Sequence, residues 1–187
     1  MSKSALRQQL IAQRRAMPAP IRHVYSQAIM QHVLSFLQTR QAKYVLAYRS
    51  MGSEVETTFL HTEKEQSFSV YAPVCDHGMS MTWYDSHDCT WKTTAQAILE
   101  PQGGAVWRIG MVDTWVLCPL LGFDRSGHRL GMGKGYFDRW LASNRHAIVG
   151  SIGLAFSGQE LHHVPHEVHD QRLNFIMTEK GMLCLNP

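Results

Sequence analysis

Residues 114–139 read TWVLCPLLGFDRSGHRLGMGKGYFDR. The first seven, Thr114 to Leu120, are the clearest strand in the chain, a short apolar run of the kind found where a sheet is covered on both faces. A glycine-rich turn follows at once, and a helix is expected around Tyr136 to Ser143. A strand feeding a helix through such a turn is the unit of an α/β fold. Ligands of open α/β sheets bind at the carboxyl ends of the strands.

The flanking sequence has the same character. A basic helix is expected from Lys3 to Ala16. A second begins near Pro20 and sets Ile21, Val24, Tyr25, Ala28, Ile29, Val33, Phe36 and Leu37 on one core-facing stripe. Lys43 to Tyr48 reads as a buried strand and Val55 to Glu65 as a short helix. Phe68 to Tyr71 and Met79 to Tyr84 read as strands around a turn at Cys75 to Gly78. Thr90 to Gly110 reads as irregular, and Ala147 to Leu154 and Leu173 to Thr178 as further strands. The alternation predicts one layered α/β domain over residues 1–187, with a mainly parallel sheet and no internal repeat.

Composition narrows the function classes. With 44% hydrophobic and 18% charged residues, the chain can bury a full core. A net charge of +3 suits a small anionic ligand. The basic residues are dispersed rather than interleaved with aromatics, so no nucleic acid is expected. No apolar run reaches the length of a membrane span and the opening residues lack a signal-peptide core, so a cytoplasmic protein with no membrane association is expected. Cys75, Cys89, Cys118 and Cys184 are scattered and read as buried, reduced thiols. Cys75-x-His77 with His87-x-Cys89, and the group His162, His163, His166 and His169, lack structural-zinc spacing, and solvated loop histidines account for them better.

The glycine turn carries the chemistry. Gly131, Gly133 and Gly135 alternate with Met132 and Lys134, a spacing that lets backbone N–H groups approach an anion at a helix N-terminus. It is not a Walker A loop, because Lys134 is followed by Gly135, nor a dinucleotide fingerprint, because Tyr136 stands at the third glycine. The same glycines could serve only a sharp strand-to-helix connection. Asp138 reads either as a magnesium ligand bridging to phosphate or as a first-turn aspartate facing the helix dipole.

The run from Gly122 to Arg139 resembles the signature of the 5-formyltetrahydrofolate cyclo-ligase (methenyltetrahydrofolate synthetase) family. Lys3 to Arg7, Ser50 to Thr57, Tyr71 to Pro73, Glu100-Pro101, Gly153 to Phe156, Gln159 to Asp170 and Thr178-Glu179 resemble further family segments in order. Phe137 departs from the family's usual second tyrosine, removing one hydroxyl. The resemblance implies a three-layer α/β/α, Rossmann-like fold of the NagB/RpiA/CoA transferase-like kind. It also implies an ATP- and Mg²⁺-dependent ligase that converts 5-formyltetrahydrofolate, polyglutamylated or not, to 5,10-methenyltetrahydrofolate, and the chain is expected to act as a monomer.

By the same resemblance ATP is bound by Lys3, Ser4, Ala5, Leu6 and Arg7 together with Arg129, Leu130, Gly131, Met132, Gly133, Lys134, Gly135, Tyr136 and Phe137. Arg129 and Lys134 are the implied catalytic cations. Met51, Glu56 and Tyr136 are the implied folate contacts, and Asp138 and Asp170 the implied metal carboxylates. Without the resemblance, Lys3 and Arg7 would read as a solvated basic helix face and Glu56 as an exposed glutamate. His169 reads as a packing or outer residue, and Trp83 and Trp107 as buried core rather than stacking platforms. The rival class is a folate- or nucleotide-binding paralogue without turnover, against which the retained carboxylates and cations argue. The N-terminal segment is expected to be loosely held in the absence of nucleotide.

Overall fold

A computed structural model describes residues 2–63, 66–76, 79–94, 98–183 and 185. Two helices, α1 (Lys3–Ala16) and α2 (Ala19–Thr39), precede the first strand, β1 (Tyr44–Ala47). Then come β2 (Ser69–Cys75), β3 (Met81–Asp85), β4 (Thr90–Thr93), β5 (Leu99–Gln102), β6 (Thr114–Pro119), β7 (Gly122–Phe123) and β8 (Arg129–Leu130). Helix α3 (Tyr136–Asn144) is followed by β9 (Gly150–Leu154), β10 (Phe175–Thr178) and β11 (Gly181–Leu183).

Seven strands form the main sheet in the order β11-β10-β9-β6-β1-β2-β3. Neighbours from β10 to β2 run parallel, and β11 and β3 are antiparallel edges. The chain leaves β1 toward β2 and β3, then returns to lay β6 on the other side of β1. Strand order therefore reverses between β1 and β6, and the crevice at their carboxyl ends is where such sheets take ligands.

Side chains divide by strand pleat. Val45, Trp115, Leu117, Ile152 and Met177 share one core with Ile29, Val33 and Leu37 of α2. Leu46, Val116, Cys118 and Ile176 face the other way and share a second core with Trp140 and Leu141 of α3. The result is the expected three-layer α/β/α arrangement. A third, small cluster joins Leu6 and Leu10 of α1 to Leu121, Leu130 and Val164, so α1 packs over the loops that follow β6.

Four expectations are corrected. The segment from Val55 to Glu65 forms only one 3-10 turn, Thr58–His61. Upstream of it the Thr57 hydroxyl donates to the Tyr48 carbonyl, and the amides of Thr57 and Glu56 donate to the hydroxyls of Ser50 and Ser26, so these groups are diverted from a helical ladder. The stretch from Thr90 to Gly110 holds the β4–β5 hairpin, mostly exposed and therefore without apolar alternation. On α2, Ile21 and Val24 are exposed, while Met30 and Ser26 join the buried stripe. Cys75 is exposed rather than buried, whereas Cys118 is buried; Cys184 and His77 lie outside the described residues.

Candidate active site

Everything the motif supplies converges on the carboxyl edge of the sheet. After β6 the chain makes the short β7–β8 hairpin, which delivers Arg129 inward and Gly131 outward. The Arg129 side chain is only 3% exposed. Its guanidinium donates to Asp138 Oδ1 at 2.8 Å and to the Gln171 carbonyl at 2.8 Å. The Gln171 amide donates to the same Asp138 oxygen at 3.1 Å. Arg129 thus ties β8, the first turn of α3 and the segment after Asp170 into one unit.

The glycine loop needs its glycines unequally. Gly133 (φ +97°) and Gly135 (φ +68°) are left-handed, and a Cβ at Gly133 would lie 3.2 Å from the Arg7 guanidinium carbon. Gly131 is neither left-handed nor crowded, so its lack of a side chain leaves open space instead. Gly135 caps α3 without a side-chain bond, which leaves first-turn N–H groups facing the loop. Lys134 is exposed, with no hydrogen-bond acceptor among the described residues.

Helix α1 supplies the other wall. Ser2 caps it by accepting from the Ala5 amide at 3.2 Å. Arg7 donates to the Gly131 carbonyl at 2.9 Å. Lys3 Nζ bonds Asp170 and Glu167, both at 2.8 Å. Burial disfavours the Lys3 charge, but the two carboxylates outweigh it and hold the ammonium above its ordinary value. Burial likewise works to raise Asp170, and Lys3 with the Glu167 amide overcomes it, so its carboxyl falls below the usual range. Ion pairs and the burial of Leu6 and Leu10 tie the N-terminal segment to the loops that follow β6.

Several implied contacts can act only through backbone. Leu6 and Leu130 are buried in the α1 cluster, and the Phe137 ring meets Trp83 edge-on at 6.1 Å. Ser4, Ala5 and Met132 are exposed. Tyr136 donates its hydroxyl to the Asp76 carbonyl at 2.9 Å and lies under the Arg139 guanidinium. Trp83 and Trp107 are core residues packed about Trp140. His169 is exposed, its Nε2 3.8 Å from Asp170.

Across the crevice, the Met51 amide donates to Glu54 at 3.0 Å and the Met51 side chain is exposed. Glu56 accepts from His23 Nδ1 at 2.7 Å. Sequence reading passed over Arg14, which is 7% exposed and joins both sides of the crevice by donating to Ser53 Oγ at 3.1 Å and the Leu120 carbonyl at 3.0 Å. Its signal was available, because Leu6, Leu10 and Arg14 occupy one stripe of α1 at four-residue spacing.

For a divalent cation the fit is that of paired hard ligands. Asp138 and Asp170 each commit one oxygen to the bonds above, while Asp138 Oδ2 and Asp170 Oδ1 make no hydrogen bond among the described residues. Two carboxylates suit magnesium, which keeps waters and takes phosphate oxygens for the rest of its shell. Among the described residues no three His, Cys, Asp or Glu side chains gather to form an all-protein metal cage.

The sequence profile of the 5-formyltetrahydrofolate cyclo-ligase family matches residues 1–179. The chain is 31% identical over 195 aligned positions to the 5-formyltetrahydrofolate cyclo-ligase of Mycolicibacterium smegmatis, covering 98% of this chain and 97% of that one. It is 30% identical over 162 positions to the enzyme of the same name from Haemophilus influenzae, covering 83% and 86%. Its fold is similar to the NMR structure of Aquifex aeolicus 5,10-methenyltetrahydrofolate synthetase, with a TM-score of 0.82, 28% identity, and 97% and 92% of the two chains covered.

Proposed function

The chain belongs to the 5-formyltetrahydrofolate cyclo-ligase family, and from that premise we propose how its residues divide the work of closing 5-formyltetrahydrofolate into 5,10-methenyltetrahydrofolate with consumption of ATP. The observation that carries this reading is the pairing of Arg129 with Asp138 and of Lys3 with Asp170 on either side of the Gly131–Gly135 loop. Cations for phosphate and carboxylates for a metal alternate around one helix N-terminus, an arrangement a plain anion binder does not need.

The N5 formamide is a poor electrophile. Its oxygen attacks the γ-phosphorus of ATP, the bond to the bridging oxygen breaks, and ADP leaves. The formyl carbon, now bearing a phosphorylated oxygen, is an activated iminium that N10 attacks. N10 loses its proton, the C–O bond breaks, and inorganic phosphate leaves as the five-membered ring closes. Such transfer rests on positioning and charge neutralisation, and no protein nucleophile is required.

Lys134 and the free N–H groups of α3 face the phosphates, and Arg7 and Lys3 close over them from α1. Arg129 orients Asp138 and lends positive charge from below. A divalent cation at Asp138 and Asp170 supplies charge neutralisation to the phosphates when bound. Met51 and Glu56 take the pterin, whose donor-rich edge suits a carboxylate, and Tyr136 borders both ligands. We read the chain as one cytoplasmic, monomeric domain; no helix among the described residues is long and apolar enough to cross a membrane.

The test mixes protein, 5-formyltetrahydrofolate, ATP and Mg²⁺ and follows the absorbance of the methenyl product. A rise that needs every component and is lost in Lys134→Ala and Asp138→Ala is the expected result. Folded protein that binds ATP but gives no rise would refute the reading.

A further inference from the structure

At the carboxyl edge of the sheet most cations already have acceptors: Lys3, Arg7, Arg14, Arg129 and Arg139 each donate to a carboxylate, hydroxyl or carbonyl. Arg49 differs. It stands two residues beyond β1 and two before Met51, with its guanidinium carbon 4.6 Å from the ring centroid of Trp91 on the β4–β5 hairpin. Among the described residues it has no hydrogen-bond acceptor and no carboxylate within 4 Å.

Its surroundings are neutral. The buried His61 ring meets Trp91 edge-on at 5.8 Å, and burial keeps that imidazole uncharged at neutral pH. Burial also pulls the Arg49 guanidinium down from its ordinary value, opposed by the Cys89 thiol, which burial first and then Asp85 and Asp88 push up. A guanidinium held over an aromatic face keeps N–H donors available for the carboxylate its fork matches. A partly desolvated cation with an idle fork is electrostatically incomplete until an anion arrives.

We propose that Arg49, held in place by Trp91, binds a carboxylate of the substrate's glutamate tail. The assignment rests on the folate reading above, in which Met51 and Glu56 take the pterin end. The substrate carries anions at two places, its glutamate tail and the phosphates of its co-substrate. Lys134 and the glycine loop lie on the α3 side of the switch point, and Arg49 lies on the opposite side, where β4 and β5 pack near β2. The tail would thus run out over the β4–β5 hairpin, away from the nucleotide.

The test compares 5-formyltetrahydrofolate with 5-formyltetrahydropteroate, which lacks the glutamate, at saturating ATP and Mg²⁺. The wild type should show a KM for the pteroate higher by about 10- to 100-fold, the scale of one lost charge-assisted pair. In Arg49→Gln the KM for the folate should rise until the ratio of the two approaches one, with kcat moving far less than KM. Arg49→Lys, which keeps charge without the fork, should fall between. A wild type with equal KM values would overturn the assignment whether or not any variant folds. So would an Arg49→Gln that weakens both substrates equally, since that marks an anchor for the hairpin only. Wild type inactive on both substrates would instead overturn the proposed reaction, and this assignment with it.

Discussion

Lys3 Nζ sits 2.8 Å from Asp170 Oδ2, joining positions 167 residues apart in the chain. One partner is the implied phosphate cation of α1 and the other an implied metal carboxylate, so in the ligand-free protein each satisfies the other. Both side chains are about four-fifths withdrawn from water. On the proposed reading, nucleotide and cation would exchange this pair for phosphate on Lys3 and metal on Asp170, leaving neither charge bare.

Asp170→Asn should therefore cost little stability, about 1 kcal/mol, while lowering kcat/KM for MgATP by about 100-fold or more. Urea unfolding and initial rates at varied MgATP separate the two effects. A stability loss large enough to account for the rate would contradict the exchange.

Arg129 should behave differently, because it is nearly fully buried and holds both Asp138 and the Gln171 carbonyl. Arg129→Ala takes the cation from Asp138, leaving that carboxylate only the Gln171 amide, and strips the Gln171 carbonyl of its donor, so a loss of about 3 kcal/mol is expected from breaking a buried pair. The melting temperature should fall with the activity, and ATP affinity measured on the remaining folded protein should fall as well.

The glycines should separate by backbone geometry. Ala at Gly133 or Gly135 forces a left-handed residue and should cost about 1–2 kcal/mol, with Gly133→Ala also pressing on Arg7 and Gly135→Ala on Arg139. Gly131→Ala has nothing within 4 Å to meet and should fold as well as the wild type. If its KM for ATP rises nonetheless, the open space over Gly131 is occupied by nucleotide; an unchanged KM places the phosphates elsewhere along the loop.

His61 sets an acid limit. It is 3% exposed, and burial pushes its pKa down to about 4, with Arg49 and His87 adding to the effect and the Tyr48 carbonyl opposing it. The unfolded chain takes the proton near pH 6.5 and the folded chain only near 4. The stabilising contribution is thus complete above about pH 6.5 and is lost as pH falls toward 4, about 3 kcal/mol in all. His61→Gln, whose amide can still donate to the Tyr48 carbonyl, should flatten that part of the curve. Urea midpoints at pH 7, 5.5 and 4.5 for the two proteins give the difference directly.

The fold was legible where covered strands carry unbroken apolar runs, as at β1, β6 and β9, and where α2 keeps an apolar stripe from Ile29 to Leu37. It was not legible at the β4–β5 hairpin, whose exposed strands show no pattern because their pairing is held by backbone bonds and Lys92 faces Glu100 across the ladder. Nor was the failure of the helix after Val55 visible, since it is decided by side-chain bonds to Tyr48, Ser50 and Ser26 from distant elements.

At the site the sequence alone determined the chemistry on offer, because glycine spacing, charge and order along the chain are local properties: a strand, a glycine turn, a helix and the cations and carboxylates around them. The tertiary structure alone decided who meets whom. Asp138 answers to Arg129 and Asp170 to Lys3, Arg14 is a buried tie rather than a surface charge, and Arg49 lies against an aromatic ring with no hydrogen-bond acceptor among the described residues. The reason is physical: an ionic group's role depends on what shares its low-dielectric surroundings, and those neighbours come from other elements, 9 residues away for Arg129 and Asp138 and 167 for Lys3 and Asp170.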